Sequence, residues 1–366
     1  MKHISILGND TQFGNFCWPS VARLQDSRLV MVCSGHRLAH VCPFGKVVAC
    51  VSEDDGLTWS EPITLIDTPL DDRDAGITPF GDGFIVTTFN NTRAFQLGHI
   101  SKRPIPAEHE RLIRERVVQI TDEEERAYLG SSYYYFGPDM KERFHGMLGV
   151  SAPHGMSLLS DGRLMYVGRE AENACISRSN SRHLDRIGVI FSEDGVHFSE
   201  VTWLEGLLPG FPEGTFLCEP HGIELRDGRI LILSRVERPG QSFTIYQSVS
   251  RDGGKSFSRP MPLCIPEEEL SGSPPHLLEA RDGTVILTYG YRLRPYGQRA
   301  RISRDGGETW SREIILREDG VNWDLGYPAT VERTDGSLLT VYYQIPEGKE
   351  NRAILGTIWR PEEHAL

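Results

Sequence analysis

Nothing in this 366-residue sequence is apolar over the roughly 20 consecutive residues that a membrane-spanning helix needs. That absence excludes a helical integral membrane protein. Positive charge is in deficit, with 39 Lys and Arg against 51 Asp and Glu and a formal charge of −12. The balance argues against nucleic-acid or anionic-membrane partners. An anionic ligand would need a local basic focus on an acidic body. Cysteine is sparse and unpatterned. Cys17, Cys33, Cys42, Cys50, Cys175, Cys218 and Cys264 are odd in number and form no CxxC pair, as expected of reduced thiols in a cytosolic protein. The N-terminal MKHISILGNDTQFGN has no apolar signal-peptide core, so the expected location is the cytoplasm. Oligomeric state is not legible.

What the sequence does have is repetition. An apolar strand, an Asp-Gly or close variant, and a second apolar strand recur as PSVARLQDSRLVMVC, GITPFGDGFIVTTF, HGMSLLSDGRLMYVG, HGIELRDGRILILSR, HLLEARDGTVILTYG and PATVERTDGSLLTVYY. The turn residues are Asp26, Asp82, Asp161, Asp227, Asp282 and Asp335. Asp-Gly between alternating β-branched runs marks a hairpin, because the tight turn needs positive φ. A second motif follows four of these hairpins: SEDDGLTW from Ser52, SEDGVHF from Ser192, SRDGGKSF from Ser250 and SRDGGETW from Ser303. Its Asp can accept from turn N–H groups, its glycines permit positive φ, and its aromatic can pack between neighbouring units. Each unit is therefore two hairpins.

Six four-stranded units predict an all-β fold, a six-bladed β-propeller forming a single domain over 1–366. The last unit supplies only three strands, ATVER, LLTVYY and AILGTIW. HISIL at residues 3–7 can complete it, closing the ring with N- and C-terminal strands in one blade. The second unit carries an insertion at about 94–150. Within it, Pro106 to Gly130 is rich in helix formers. The SSYYYFGPDM that follows is either a small satellite core or a wall over the pocket.

Residues flanking the first two strands of each unit converge at one end of a propeller. They are rich in Arg, His, Asp, Glu and Tyr, as in DDRDAG, CEPHG, WDLGYP, SGHRLAH, SRVER and YGYR. Polar groups from different units meeting in one concavity form the candidate active site.

The repeated Ser-x-Asp-x-Gly-x-Thr-Trp turns resemble the Asp-boxes, or BNR repeats, of the sialidase (neuraminidase) superfamily, and the resemblance covers essentially the whole chain. CEPHGIELRDGRILILSR is similar to the segment that carries a Glu-Pro and ends in a substrate-binding arginine. The resemblance implies Glu219 as the catalytic glutamate and Arg235 as an arginine of the family's triad. LGYPATVERTDGSLLTVYY is similar to the segment of the nucleophilic tyrosine, implying Tyr327, and TYGYRLRPYGQRARISRDGGETW places Arg292 near the third arginine. Two family marks are missing. The Phe-Arg-Ile-Pro motif reads Phe16-Cys17-Trp18-Pro19, and no Asp or Glu lies between Ser27 and Ser52, where the family keeps its acid/base Asp. That region holds His36, Arg37 and His40. Arg37 or Arg73 could replace the arginine; Asp74, Asp72 or His36 could replace the proton donor.

The set has chemical sense. Sialidases with a Tyr nucleophile depart from the usual carboxylate pair. A neutral phenol is not repelled by a substrate carboxylate, and a neighbouring glutamate can take its proton. The expectation is an exo-acting glycoside hydrolase releasing a terminal acidic sugar, with Tyr327, Glu219 and Asp74 catalytic. Arg235, Arg292, Arg37, Arg73, His36, His154, His221 and His276 would bind substrate, with carbohydrate as the partner and no cofactor. His154, His221 and His276 occupy equivalent places in three successive units. They are read as satisfied by backbone, as a substrate-binding ring, or as a divalent-metal site. Two other functions stay open: a polysaccharide lyase or metal-dependent enzyme using the histidines, and an inactive carbohydrate-binding propeller.

Overall fold

The computed structural model describes residues 1–102, 105–170, 186–207, 210–267 and 269–364. Its strands form six antiparallel sheets arranged as propeller blades. Blade 1 runs Asn15–Arg23, Leu29–Arg37, Lys46–Ser52 and Ile63–Ile66. Blade 2 runs Arg73–Phe80, Gly83–Phe89, Ser131–Phe136 and Glu142–Leu148. In blade 3 two short pieces, Val150–Ser151 and Ser157–Leu158, pair with Leu164–Glu170, followed by Ile187–Ser192 and Thr202–Trp203. Blade 4 comprises Phe216–Glu224, Ile230–Glu237, Thr244–Ser250 and Met261–Pro262, and blade 5 Pro275–Glu279, Val285–Tyr291, Gly297–Ser303 and Ile314–Arg317. Blade 6 takes Gly326–Glu332, Leu338–Gln344 and Ala353–Trp359, and its fourth strand is Lys2–Leu7 from the other end of the chain. That pairing closes the ring by joining both ends of the chain in one sheet.

The core is not central. Six apolar clusters lie in the six seams between neighbouring blades, the last joining blades 6 and 1 through Leu7, Phe16, Trp18, Tyr327 and Val341. This follows from strands that are apolar on both faces, each face packing on a different neighbour. The Asp-box aromatics sit in these seams. Trp310 of blade 5 packs with Leu231 and Leu233 of blade 4, and its indole N–H reaches Gln247 Oε1 at 3.4 Å. In the same box Asp305 accepts from Thr309 N at 2.9 Å and from Thr309 Oγ1 at 2.6 Å, while Ser303 Oγ accepts from Gly307 N at 2.8 Å. The box is a rivet between third and fourth strands.

The insertion is narrower than the sequence suggests. Helices α1 (Arg93–Ile100), α2 (Ala107–Gln119) and α3 (Asp122–Tyr128) lie between the second and third strands of blade 2. Ile100, Ile113 and Val117 pack on Leu38 and Cys42 above blade 1. The SSYYYF segment is neither satellite core nor wall. It is the third strand of blade 2, with Tyr133 in the seam to blade 3 and Tyr134 in the seam to blade 1. Six cysteines are free, five of them buried and Cys264 exposed; Cys175 lies outside the described residues. No helix among the described residues is long and apolar enough to cross a membrane.

Candidate active site

The inner strands of blades 1, 2, 4 and 6 each carry a bulge where the register slips, at Cys17/Ser20, Arg73/Gly76, Cys218/His221 and Gly326/Ala329. The residue inside each slip has a left-handed backbone: Trp18 (φ 53°), Asp74 (49°), Glu219 (47°) and Tyr327 (50°). A bulge re-aims a side chain, and a non-glycine residue at positive φ costs roughly 1–2 kcal/mol. Three of the four precede a proline, Pro19, Pro220 or Pro328, which lacks the N–H a regular ladder would use. The first strands therefore extend further towards the mouth than the hairpin pattern suggests, and the functional side chains lie inside them.

Tyr327 donates its hydroxyl to Glu219 Oε1 at 2.6 Å. Glu219 Oε2 accepts from Arg235 Nη1 at 2.5 Å, and Arg235 Nη2 lies 2.5 Å from Glu237. Arg292 stands 5.5 Å from the centroid of the Tyr327 ring and donates Nε to Leu325 O at 3.2 Å. Burial alone would raise the Glu219 carboxyl, but Arg235, the Tyr327 hydroxyl and Arg292 outweigh it and hold it below the ordinary glutamate value. Burial, then the charges of Glu219 and Asp74, push the Tyr327 phenol well above its ordinary value. Burial also lifts the Asp74 carboxyl to about 7, opposed by Arg73 and reinforced by Glu219. Asp74 Oδ1 is buried without a hydrogen-bond partner among the described residues. Glu219 keeps 22% of its side chain accessible, so the cluster opens there. A solvent-open cleft beside it is lined by Gln241, Ser242, Phe243, Ser271, Arg292 and Trp323.

Other expected residues are placed differently. Arg37 and Arg73 are buried and bound to Asp71, at 2.6 and 3.3 Å, and both guanidinium groups lie over the Trp18 ring at 4.8 and 4.1 Å. They brace the pocket wall. Asp72 is spent on Thr68, accepting from its N and Oγ1 at 2.8 Å each, which removes it as a proton donor. His36 packs edge-on to Phe16, and its charged neighbours are Lys46 and Asp67. The structure does not bring His36 to the cluster, because its strand turns that side chain away from Arg37's.

The three histidines do meet. His221 and His276 stack with centroids 4.4 Å apart, and His154 stands edge-on to both at 5.4 and 5.0 Å. One ring nitrogen of each is used structurally. His221 Nδ1 accepts from Leu277 N of blade 5 at 3.0 Å, and His276 Nδ1 from Thr330 N of blade 6 at 3.3 Å. His154 Nδ1 lies 3.4 Å from Ser20 Oγ of blade 1. Burial lowers all three, His221 to about 4, so they are neutral. The backbone-satisfied reading fits His221 and His276, whereas His154 meets the Ser20 hydroxyl and its Nε2 has no partner among the described residues. Among the described residues no group of three or more His, Cys, Asp or Glu is arranged to hold a metal ion.

Sequence reasoning missed Asp71, which holds both arginines, and Glu237, which turns Arg235. It missed Trp18 as a wall, and it missed Asp324, which accepts from Tyr343 at 2.8 Å and pairs with Arg352 at 2.7 Å. Asp71, Glu237 and Asp324 carried a signal as members of the rim segments DDRDAG, SRVER and WDLGYP, but nothing in those segments told their partners.

The family model for the BNR repeat-like domain matches residues 177–340. Among curated proteins none matches the chain in sequence. A solved structure of a Dyadobacter fermentans protein of unknown function is similar at 22% identity and TM-score 0.74, over 98% of each chain. An α-L-arabinanase from Penicillium chrysogenum, solved with arabinobiose, is similar at 13% identity and TM-score 0.65, over 100% of this chain and 99% of that one. The intramolecular trans-sialidase from Ruminococcus gnavus, solved with oseltamivir carboxylate, is similar at 12% identity and TM-score 0.65, over 99% and 98%. The chain shares the six-bladed propeller fold of these structures, and its match to the BNR repeat-like model agrees with the Asp-boxes in its sequence.

Proposed function

We propose that this BNR-repeat propeller is an exo-acting glycoside hydrolase whose reacting groups are Asp74, Glu219 and Tyr327. The observation that carries the reading is the 2.6 Å bond from Tyr327 to an ionised Glu219, beside a carboxyl raised to about 7. Environments that push two carboxyl groups apart assign the acid and the base. Asp74, protonated near neutral pH, donates to the leaving oxygen. The Tyr327 oxygen attacks the anomeric carbon as Glu219 takes its proton. Water, deprotonated by Asp74, then displaces the phenol oxygen, which recovers its proton from Glu219. Two displacements give net retention. Tyr327 and Asp74 are only 6% and 4% exposed, so they suit a terminal residue entering a pocket. The cleft past Phe243 and Trp323 would take the rest of the substrate. Solved structures of similar fold include enzymes acting on arabinan and sialosides, which supports a carbohydrate substrate.

The split carboxyl groups also fit a second reading, in which Glu219 attacks directly and Tyr327 only orients it. Tyr327→Phe separates the two. With Tyr327 as nucleophile, turnover of 4-nitrophenyl glycosides falls by at least ~10³-fold while the melting temperature holds; wild-type turnover refutes the Tyr mechanism. A lyase or metal enzyme would need the histidine set, whose Nδ1 atoms are engaged in inter-blade contacts.

A further inference from the structure

We infer that the sugar taken by this pocket carries no carboxylate on its anomeric carbon: the site is built for a neutral glycon. The inference rests on the glycosidase reading and holds whether Tyr327 or Glu219 attacks. A substrate carboxylate beside the reacting carbon needs uncommitted guanidinium groups, and among the described residues the arginines around Tyr327 and Glu219 are almost all committed. Arg37 and Arg73 share Asp71, donate to His40 O, and lie over Trp18. Arg235 gives one end of its fork to Glu219 and the other to Glu237. Arg292 has no carboxylate ion pair among the described residues, and its Nε is spent on Leu325 O.

The wall opposite is neutral as well. In blade 1, Cys17 and Trp18 are each 1% exposed, and burial pushes the Cys17 thiol up to about 12, so it stays uncharged. The pocket already holds ionised Glu219, with Asp74 close enough for their charges to interact. A substrate carboxylate here would face the charge of Glu219 in a water-poor site, which disfavours it. A neutral sugar brings only hydroxyls, which Arg292, Gln241, Ser242 and Ser271 can meet at the cleft. This proposal departs from the acidic sugar expected from the sequence.

The test compares kcat/KM for 4-nitrophenyl glycosides of neutral pentoses and hexoses, in both anomers, with 4-methylumbelliferyl N-acetylneuraminide and 4-nitrophenyl glucuronide. At least one neutral glycoside should exceed both acidic ones by on the order of 100-fold. In Glu237→Gln, which frees one end of Arg235, that ratio should shift about tenfold towards the acidic substrates. Preferential cleavage of an acidic glycoside overturns the inference while leaving the hydrolase reading intact. If nothing is cleaved, the hydrolase reading fails, and calorimetric titration with the same compounds decides the inference separately. Binding of a neutral glycoside alone supports it; binding of an acidic one, or of none, overturns it.

Discussion

Replacing Asp74 by Asn should make the protein more stable and less active, in opposite pH windows. The folded carboxyl sits at about 7 against an ordinary 3.8, a difference of about three pKa units or ~4 kcal/mol. The sign follows from linkage. Between those values the folded state holds a proton that the unfolded state has lost, so wild-type stability falls as pH rises through the window. Asn never ionises. The two proteins should therefore match near pH 3.5 and diverge to as much as ~4 kcal/mol in favour of Asp74→Asn above pH 7.5, read from urea midpoints across pH. Asp72, also raised to about 7 by burial, contributes a similar slope to both proteins and cancels.

The activity arm uses the same group. If Asp74 is the proton donor, wild-type kcat/KM falls above about pH 7, and its acid limb lies below the ordinary glutamate value because Glu219 is held low. Asp74→Asn should lose the basic limb. Rates should drop ~10²–10⁴-fold for alkyl glycosides, which need protonation to leave, and much less for 4-nitrophenyl glycosides. A variant that keeps the basic limb, or loses both substrate types equally, refutes the assignment.

Two further outcomes test the framework around the site. His276→Ala strands the buried Thr330 N–H and should cost ~1–3 kcal/mol in chemical denaturation. EDTA should leave the wild-type melting temperature unchanged; a drop on chelation would restore the metal reading. Asp305→Ala removes the acceptor for Thr309 N and Oγ1 and should lower stability by about 1 kcal/mol with kcat/KM unaltered. A selective loss of activity would give the Asp-box a chemical role.

The fold was legible because repetition converts weak local signals into a strong one. Six Asp-Gly hairpins and four Asp-boxes demand six blades, and a missing fourth strand in the last unit demands Lys2–Leu7. Tyr327, Glu219 and Arg235 were legible only through resemblance, while Asp74 came from its place at the rim. What stayed hidden was how charge is partitioned. DDRDAG packs three aspartates into one loop, and the structure gives each a different use: Asp71 pairs with arginines, Asp72 caps Thr68, and Asp74 is left unpartnered. Sequence order says nothing of this, because each partner comes from another segment. His36 and Arg37 are adjacent, yet a register slip and a left-handed backbone at His36 (φ 56°) send them to different surroundings.

Strand alternation explains why the site needs its bulges. A regular inner strand offers only every second residue to the axis, and a ring of six equivalent strands would offer it the same register six times. Blades 4 and 5 show that register in His221 and His276, whose rings bind the next blade's backbone. Chemistry requires a different layer, with the pocket groups placed nearer the mouth and turned towards one another. The slips at Trp18, Asp74, Glu219 and Tyr327 supply it at the cost of a left-handed backbone at each. All four bulge residues are pocket groups, while the inner strand of blade 5 keeps a regular register and that of blade 3 is broken between Ser151 and Ser157, with no left-handed residue in the break. Strain is thus placed where the side chains must act, and the six seams, rather than the axis, hold the fold against it.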